Sequence, residues 1–313
     1  MKSTVITARR LLIWLTGVVV CLVAVDMLSG VIMRTYHSRS GLKGDYVMIE
    51  HVINGCPDSV LVLGSSVALN SIDTRTLGDS LSTSAYNAAV NGQRLPFVLT
   101  LLKGMESAGK MPQTILLGLH GSDFYSEGNG SRYNILAPYY NQGNLYLDSL
   151  LSSRRAIEPI LLRSNLYRYN TSWFRILLYE LLSMAPDNPT GFVAKPIPPV
   201  FPTRETLIQG FDSLGISRER LDQIGDIMDI CHANDIDLTI IFTPLYSFAY
   251  QTAIDSVAAI AEKYPNTAVW NDTQLPPFVS DSTLFYDPVH LNISGAKIYT
   301  DTVISRLKKA SDL

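Results

Sequence analysis

Apolar and polar positions along the chain fall into three regimes. The first is a near-unbroken apolar stretch from Leu11 to Met33, in which Asp26 is the one charge. As a helix this stretch rises about 34 Å, enough for a hydrocarbon core of about 30 Å. It predicts one transmembrane anchor over 11–33 behind a cytoplasmic tail at 1–10. A cleaved secretory signal led by Lys2, Arg9 and Arg10 is the competing reading. No A-x-A cleavage site follows the stretch, and Val18-Val19-Val20-Cys21 is a poor lipoprotein box, which favours the uncleaved anchor. A short basic N-terminus ordinarily stays inside, placing residues 34–313 in the periplasm or another extracytoplasmic space, although Arg34, Arg39 and Lys43 nearly balance it. Asp26 is costly within the span, which points either to a partner helix or to a position near the outer interface.

The second regime alternates short apolar runs with helical stripes. Residues 34–56 read as a juxtamembrane segment, and 57–313 as one globular domain. Ser59–Leu63 is a buried strand stopped by Gly64-Ser65-Ser66, and Thr114–Leu119 another, closed by His120-Gly121. Leu238–Phe242 is a third and Thr267–Trp270 a weaker fourth. Between and after them lie helical patterns at Leu95–Ala108, Arg218–Ala233 and Ser294–Leu307. The stripe of the second is Leu221, Ile224, Ile227, Met228 and Cys231. The third takes Ser294 as its N-cap and turns Ala296, Tyr299, Val303, Ile304 and Leu307 inward. Strands alternating with helices predict an α/β three-layer sandwich, a central parallel sheet with helices on both faces.

The third regime, about 124–211, interrupts that alternation. It holds eight of the sixteen tyrosines, namely Tyr125, Tyr133, Tyr139, Tyr140, Tyr146, Tyr167, Tyr169 and Tyr179, and a proline-rich run from Pro196 to Pro202. As an insertion after the Thr114–Leu119 strand it emerges where open α/β sheets bind ligands. Two readings stand. The tyrosines pack the insertion's own small core, or with Arg132, Arg154, Arg155, Arg163 and Arg168 they form a surface for sugars or anions.

Charge narrows the partners. Residues 1–43 carry six Lys/Arg and one acid, leaving 19 bases against 27 acids in 44–313. A body that acidic lacks the basic patch that phosphate-backbone binding requires, so nucleic acid is not an expected partner. Cys21 lies in the apolar stretch. Cys56 and Cys231 leave room for a single structural disulfide but give no zinc spacing.

The chemistry lies at the two ends of the globular part. Ser66 follows the first strand at the carboxyl edge of the sheet. Asp287-Pro288-Val289-His290 lies between the last strand and the terminal helix. In this arrangement His290 Nε2 takes the Ser66 proton while Asp287 holds Nδ1–H and stabilises the imidazolium. Gly64-Ser65-Ser66-Val67-Ala68 is also close to the G-x-S-x-G elbow of α/β-hydrolases. Those take acid and histidine from separate loops and place the nucleophile after several strands. A metal site from His120, Asp287 and His290 lacks a motif.

Four blocks in order, Gly64-Ser65-Ser66, Asn87-Ala88-Ala89-Val90-Asn91-Gly92, Gly121-Ser122-Asp123 and Asp287-Pro288-Val289-His290, resemble the SGNH/GDSL hydrolase superfamily over residues 59–295, the insertion excepted. The resemblance implies a flavodoxin-like SGNH fold, Ser66 as nucleophile and oxyanion donor, Gly92 as a second backbone donor, and Asp287 and His290 as the rest of a triad. It requires no cofactor and no metal. The family's third block supplies an Asn to the oxyanion where this chain has Ser122, and losing one such donor costs about 10²–10³ in rate. His120, Asp123 and Tyr125 beside it are expected to bind substrate. Gly-Ser-Ser in place of Gly-Asp-Ser, the anchor and the insertion are similar to the family's membrane-anchored branches, the D-alanyl-transfer and alginate O-acetylation proteins. These imply an acyl donor and a cell-envelope glycan as substrates, and a multi-spanning membrane acyltransferase as partner. A second function class stays open: a catalytically weak scaffold subunit of such an acylation complex, motivated by Ser122 and Asp26.

Overall fold

A computed structural model of the chain describes residues 2–38, 45–53, 55–125, 133–170, 189–203, 215–246 and 250–311. It divides into two compact units, Met1–Lys43 with Asn134–Pro186, and Gly44–Tyr133 with Asp187–Leu313. In chain order the helices are α1 (Lys2–Ser38), α2 (Asp45–Val52), α3 (Ser66–Leu69), α4 (Thr74–Leu81), α5 (Leu95–Ala108), α6 (Leu145–Ser152), α7 (Glu158–Leu161), α8 (Asn165–Arg168), α9 (Arg218–Ala233), α10 (Gln251–Ala261) and α11 (Ile293–Ser311).

The unit built on Gly44–Tyr133 and Asp187–Leu313 holds five strands, β1 (Val60–Gly64), β2 (Ala85–Asn87), β3 (Thr114–Leu119), β4 (Asp237–Phe242) and β5 (Thr267–Asn271). All pairings are parallel and the order is β2-β1-β3-β4-β5. Every residue of β1 is buried, as are Ile115–Leu119 of β3. A strand covered on both faces needs apolar side chains on both, which is why these runs show no alternation. β2 is a three-residue edge strand that carries no such run, and the sequence reading missed it.

The handedness of the crossovers sorts the helices. The connection from β1 to β2 runs one way along the sheet, and those from β2 to β5 run the other way. Right-handed crossovers therefore put α4 on one face and α5, α9 and α10 on the opposite one. Accordingly α4 packs with α11, while α9 packs with both α5 and α10. The terminal helix begins one residue before the expected cap. Asn292 Oδ1 accepts from Ser294 N at 3.0 Å and from Gly295 N at 3.1 Å, so Asn292, not Ser294, caps α11. Cys56 and Cys231 are separate, buried free thiols rather than a disulfide. Burial pushes their pKa values up to about 11 and about 12.

In the unit built on Met1–Lys43 and Asn134–Pro186, α1 contains Ala8–Thr35, 28 residues within which an 18-residue window reaches a mean hydropathy of 2.5. From Leu11 to Val25 its large apolar side chains are exposed. The helix is long and apolar enough to cross a membrane, a property an N-terminal signal sequence shares. The polar demand of Asp26 is met inside the unit. Its carboxylate accepts from Ser164 Oγ at 2.6 Å, Leu166 N at 2.9 Å, and Asn165 N and Nδ2 at 3.0 Å each. Tyr139 and Tyr169 are buried, and Tyr167 donates to Glu158 at 2.8 Å while accepting from Arg155 at 3.0 Å. Arg154 is bound to Asn134, and Arg168 to Asn165 and the Tyr140 carbonyl. These hydrogen bonds lie within the unit, while Arg154, Arg155 and Arg163 are exposed at its surface. Tyr179 and Arg132 lie outside the described residues.

Candidate active site

The turn after β1 depends on two glycines. Gly64 has φ 132°, a conformation a side chain rarely adopts, and pairs with Gly118 of β3. A Cβ on Gly118 would stand 2.7 Å from that of Ala68. Their absence of side chains lets α3 lie across the strand ends and start at Ser66. As the first helical residue, Ser66 has a backbone N–H with no intrahelical acceptor.

The partner loop is closed on itself. Tyr286 N donates to the His290 carbonyl at 2.8 Å, and Asn292 Nδ2 bridges the carbonyls of Thr283 and Phe285 at 2.7 and 3.1 Å. Inside it, Asp287 Oδ1 accepts from the N–H groups of Val289 and His290, both at 2.9 Å. The carboxylate also lies 2.8–2.9 Å from His290 Nδ1. A carboxylate only accepts, so the proton sits on Nδ1 and Nε2 is left as the acceptor. Nε2 stands 2.7 Å from Ser66 Oγ. Burial pushes the Asp287 carboxyl up, but the His290 bond and charge and the two backbone donors outweigh it and hold its pKa below the usual value.

Gly92, with φ 68°, ends a loop fixed to β1. Ala88 N and Val90 N donate to the Val62 and Gly64 carbonyls at 2.9 and 3.2 Å. Asn87 is fully buried, donating to the Ala68 and Ile72 carbonyls at 3.1 Å each and accepting from Ala89 N at 3.1 Å. It ties the Gly92 loop to α3, the element that carries Ser66.

The end of β3 is arranged differently from the sequence expectation. Ser122 Oγ lies 2.5 Å from His120 Nδ1, and Ser122 N donates to the same nitrogen at 3.4 Å. The hydroxyl expected at the oxyanion is therefore engaged with a histidine. Asp123 accepts from His120 N at 3.3 Å and closes a capping box on the turn Gly121–Phe124. Burial raises the Asp123 pKa to about 6 against the pull of Arg94, the His120 N–H and Arg220. Burial, then the charges of His290 and Arg94, lower His120 to about 4. Tyr125 is buried, 5.9 Å from the Tyr250 ring, which itself meets His120 edge-on at 5.0 Å.

The structure thus brings Ser66, His290 and Asp287 into one hydrogen-bonded chain, and His120, Ser122 and Asp123 into a second cluster. Arg94 and Tyr250, which bear on that cluster, carry no motif and were not read from the sequence. Among the described residues no group of three His, Cys, Asp or Glu side chains is placed to hold a metal ion.

No protein-family model and no curated protein matches this chain. Among solved structures it is similar to the psychrotrophic esterase EstA from Pseudoalteromonas sp., in a structure inhibited by monoethylphosphonate. The identity is 13%, the TM-score 0.39, and the match covers 81% of this chain and 98% of that one. A likeness of that degree carries no argument about the site.

Proposed function

We propose that this chain performs extracytoplasmic acyl-ester chemistry through an acyl-Ser66 intermediate, as the resemblance to SGNH/GDSL hydrolases implies. One observation carries the reading: the 2.7 Å contact of Ser66 Oγ with His290 Nε2, across 224 residues of sequence, backed by Asp287 on the other ring nitrogen. Surface polar residues have no reason to meet in that order with those tautomers. His290 takes the hydroxyl proton as Ser66 attacks the acyl carbonyl, and Asp287 stabilises the imidazolium. The Ser66 and Gly92 N–H groups face the developing oxyanion. Collapse expels the donor alcohol, which receives the proton from His290. A second hydroxyl, activated by the same histidine, then takes the acyl group.

Whether that hydroxyl belongs to water or to an acceptor decides between esterase and transferase. A chain anchored by residues 11–33 works beside cell-surface glycans, whose hydroxyls are at high effective concentration there. The reading is therefore O-acyl transfer to a cell-envelope polysaccharide, ahead of its de-esterification, with a multi-spanning acyltransferase as supplier of the acyl group. The test is labelling by a serine-directed fluorophosphonate together with cellular glycan acylation. Ser66→Ala abolishes both if the reading holds. Labelling or acylation that survives in this variant contradicts it, and the scaffold reading then takes its place.

A further inference from the structure

We infer that the side-chain donor to the oxyanion in this site is the Nε2–H of His120, with Ser122 setting the imidazole's tautomer; the inference rests on the acyl-Ser66 reading. Three observations carry it. Gly64 of β1 and Gly118 of β3 are directly paired, so Ser66 and His120 leave adjacent parallel strands at the same level of the sheet. Both stand at the carboxyl edge, where open α/β sheets place their ligands.

The second observation fixes the tautomer. A backbone N–H can only donate, and that of Ser122 points at His120 Nδ1 at 3.4 Å, with the Ser122 hydroxyl 2.5 Å from the same nitrogen. Nδ1 is thus the acceptor, and the ring proton is on Nε2. Third, among the described residues Nε2 has no hydrogen-bond partner of its own. The Ser122 hydroxyl, the side chain that takes the place of the family's Asn, spends its proton one step back from the reacting atoms.

The environment suits an electrophile rather than an acid. With its pKa lowered to about 4 by burial and by the His290 and Arg94 charges, the ring is neutral at physiological pH. A neutral imidazole N–H polarises a carbonyl without giving up its proton. As Ser66 Oγ forms its bond to the acyl carbon, the carbonyl π pair moves onto oxygen. That oxygen receives a hydrogen bond from Nε2–H, and the Ser66 proton goes to His290. Tyr250, edge-on to the ring at 5.0 Å, fixes the plane in which Nε2–H points. Ser122 is then a positioning residue and His120 a catalytic one.

The experiment uses the full chain and p-nitrophenyl acetate, with Ser66→Ala run in parallel. His120→Ala is expected to lower kcat by about 10²–10³ with little change in KM, the size of one lost oxyanion donor. His120→Asn, which restores a donor, recovers at least about tenfold of that loss, and Ser122→Ala costs less than about tenfold because its N–H still holds Nδ1. A His120→Ala kcat near wild type while Ser66→Ala is inactive overturns the inference and leaves the acyl-serine reading standing. Turnover that persists in Ser66→Ala overturns the reading itself. Nitrogen-15 NMR of the wild-type His120 ring needs no variant to fold: a protonated Nε2 and bare Nδ1 support the assignment, and the opposite tautomer overturns it.

Discussion

Asp26 and Asp287 are carboxylates with similar numbers of donors around them, in different units of the molecule. Asp26 accepts from two backbone N–H groups, an amide and a hydroxyl, all within Ser164–Leu166. Asp287 accepts from two backbone N–H groups and one imidazole. In the first case each bond ends in a neutral group that keeps its proton, so the result is a cap that holds a turn against an apolar helix. In the second, one bond ends in a ring whose far nitrogen touches a hydroxyl. The difference lies less in the carboxylate than in whether a bonded neighbour can pass a proton onward.

That contrast breaks most sharply at Asp287. Asp287→Asn keeps an oxygen for the two backbone donors but offers no fixed acceptor to Nδ1–H, which frees the imidazole to adopt the wrong tautomer. A loss of about 10⁴ in kcat is expected, measured on p-nitrophenyl acetate. A loss below tenfold would place Asp287 with Asp26 as a cap alone.

Asp26→Ala is the complementary change. It leaves the N–H groups of Asn165 and Leu166 without an acceptor, at a cost of about 1–3 kcal/mol. Faster amide exchange at those two residues is expected, with ester turnover unchanged. Turnover that falls as far as in Asp287→Asn would end the distinction between the regions.

What could be read in advance follows from how each element earns its stability. β1, β3 and β4 are covered on both faces and show as continuous apolar runs, and α5 and α9 keep the expected bounds. β2 has three residues and gains its place by pairing with β1, which leaves no local pattern. α4 is a two-turn helix started by the Asp73 cap on Arg75 N, and with Leu77 and Leu81 as its only large apolar residues its stripe is too short to be a strong signal. Ser66, Asp287 and His290 were legible because their spacing and order are themselves chemical requirements. The engagement of Ser122 with His120 was not, because a serine two residues after a histidine serves a turn or a site equally well. In the structure the Ser122 N–H and hydroxyl both meet His120 Nδ1, within the cap of the turn Gly121–Phe124.

A smaller effect sharpens the account of the His120 cluster. Asp123 has a folded-state pKa of about 6, above its ordinary value of 3.8, so the folded state binds the extra proton between those limits. Its contribution to stability is therefore present at low pH and is lost as pH rises through 6. Asp123→Asn removes that slope. Relative to wild type, the variant's thermal midpoint is expected to rise by several degrees between pH 4 and pH 7. A difference that stays constant with pH, or that falls, would contradict the raised pKa.

The central claim, that Ser66 carries the acyl group between donor and acceptor, is tested most directly by quenching a reaction with p-nitrophenyl acetate in acid and locating the acetyl by peptide mass spectrometry. The account predicts acetyl on the peptide containing Ser66, formed at least as fast as the overall turnover and absent in His290→Ala. Turnover with no acetyl on that peptide, or with acetyl accumulating more slowly than product, would contradict it.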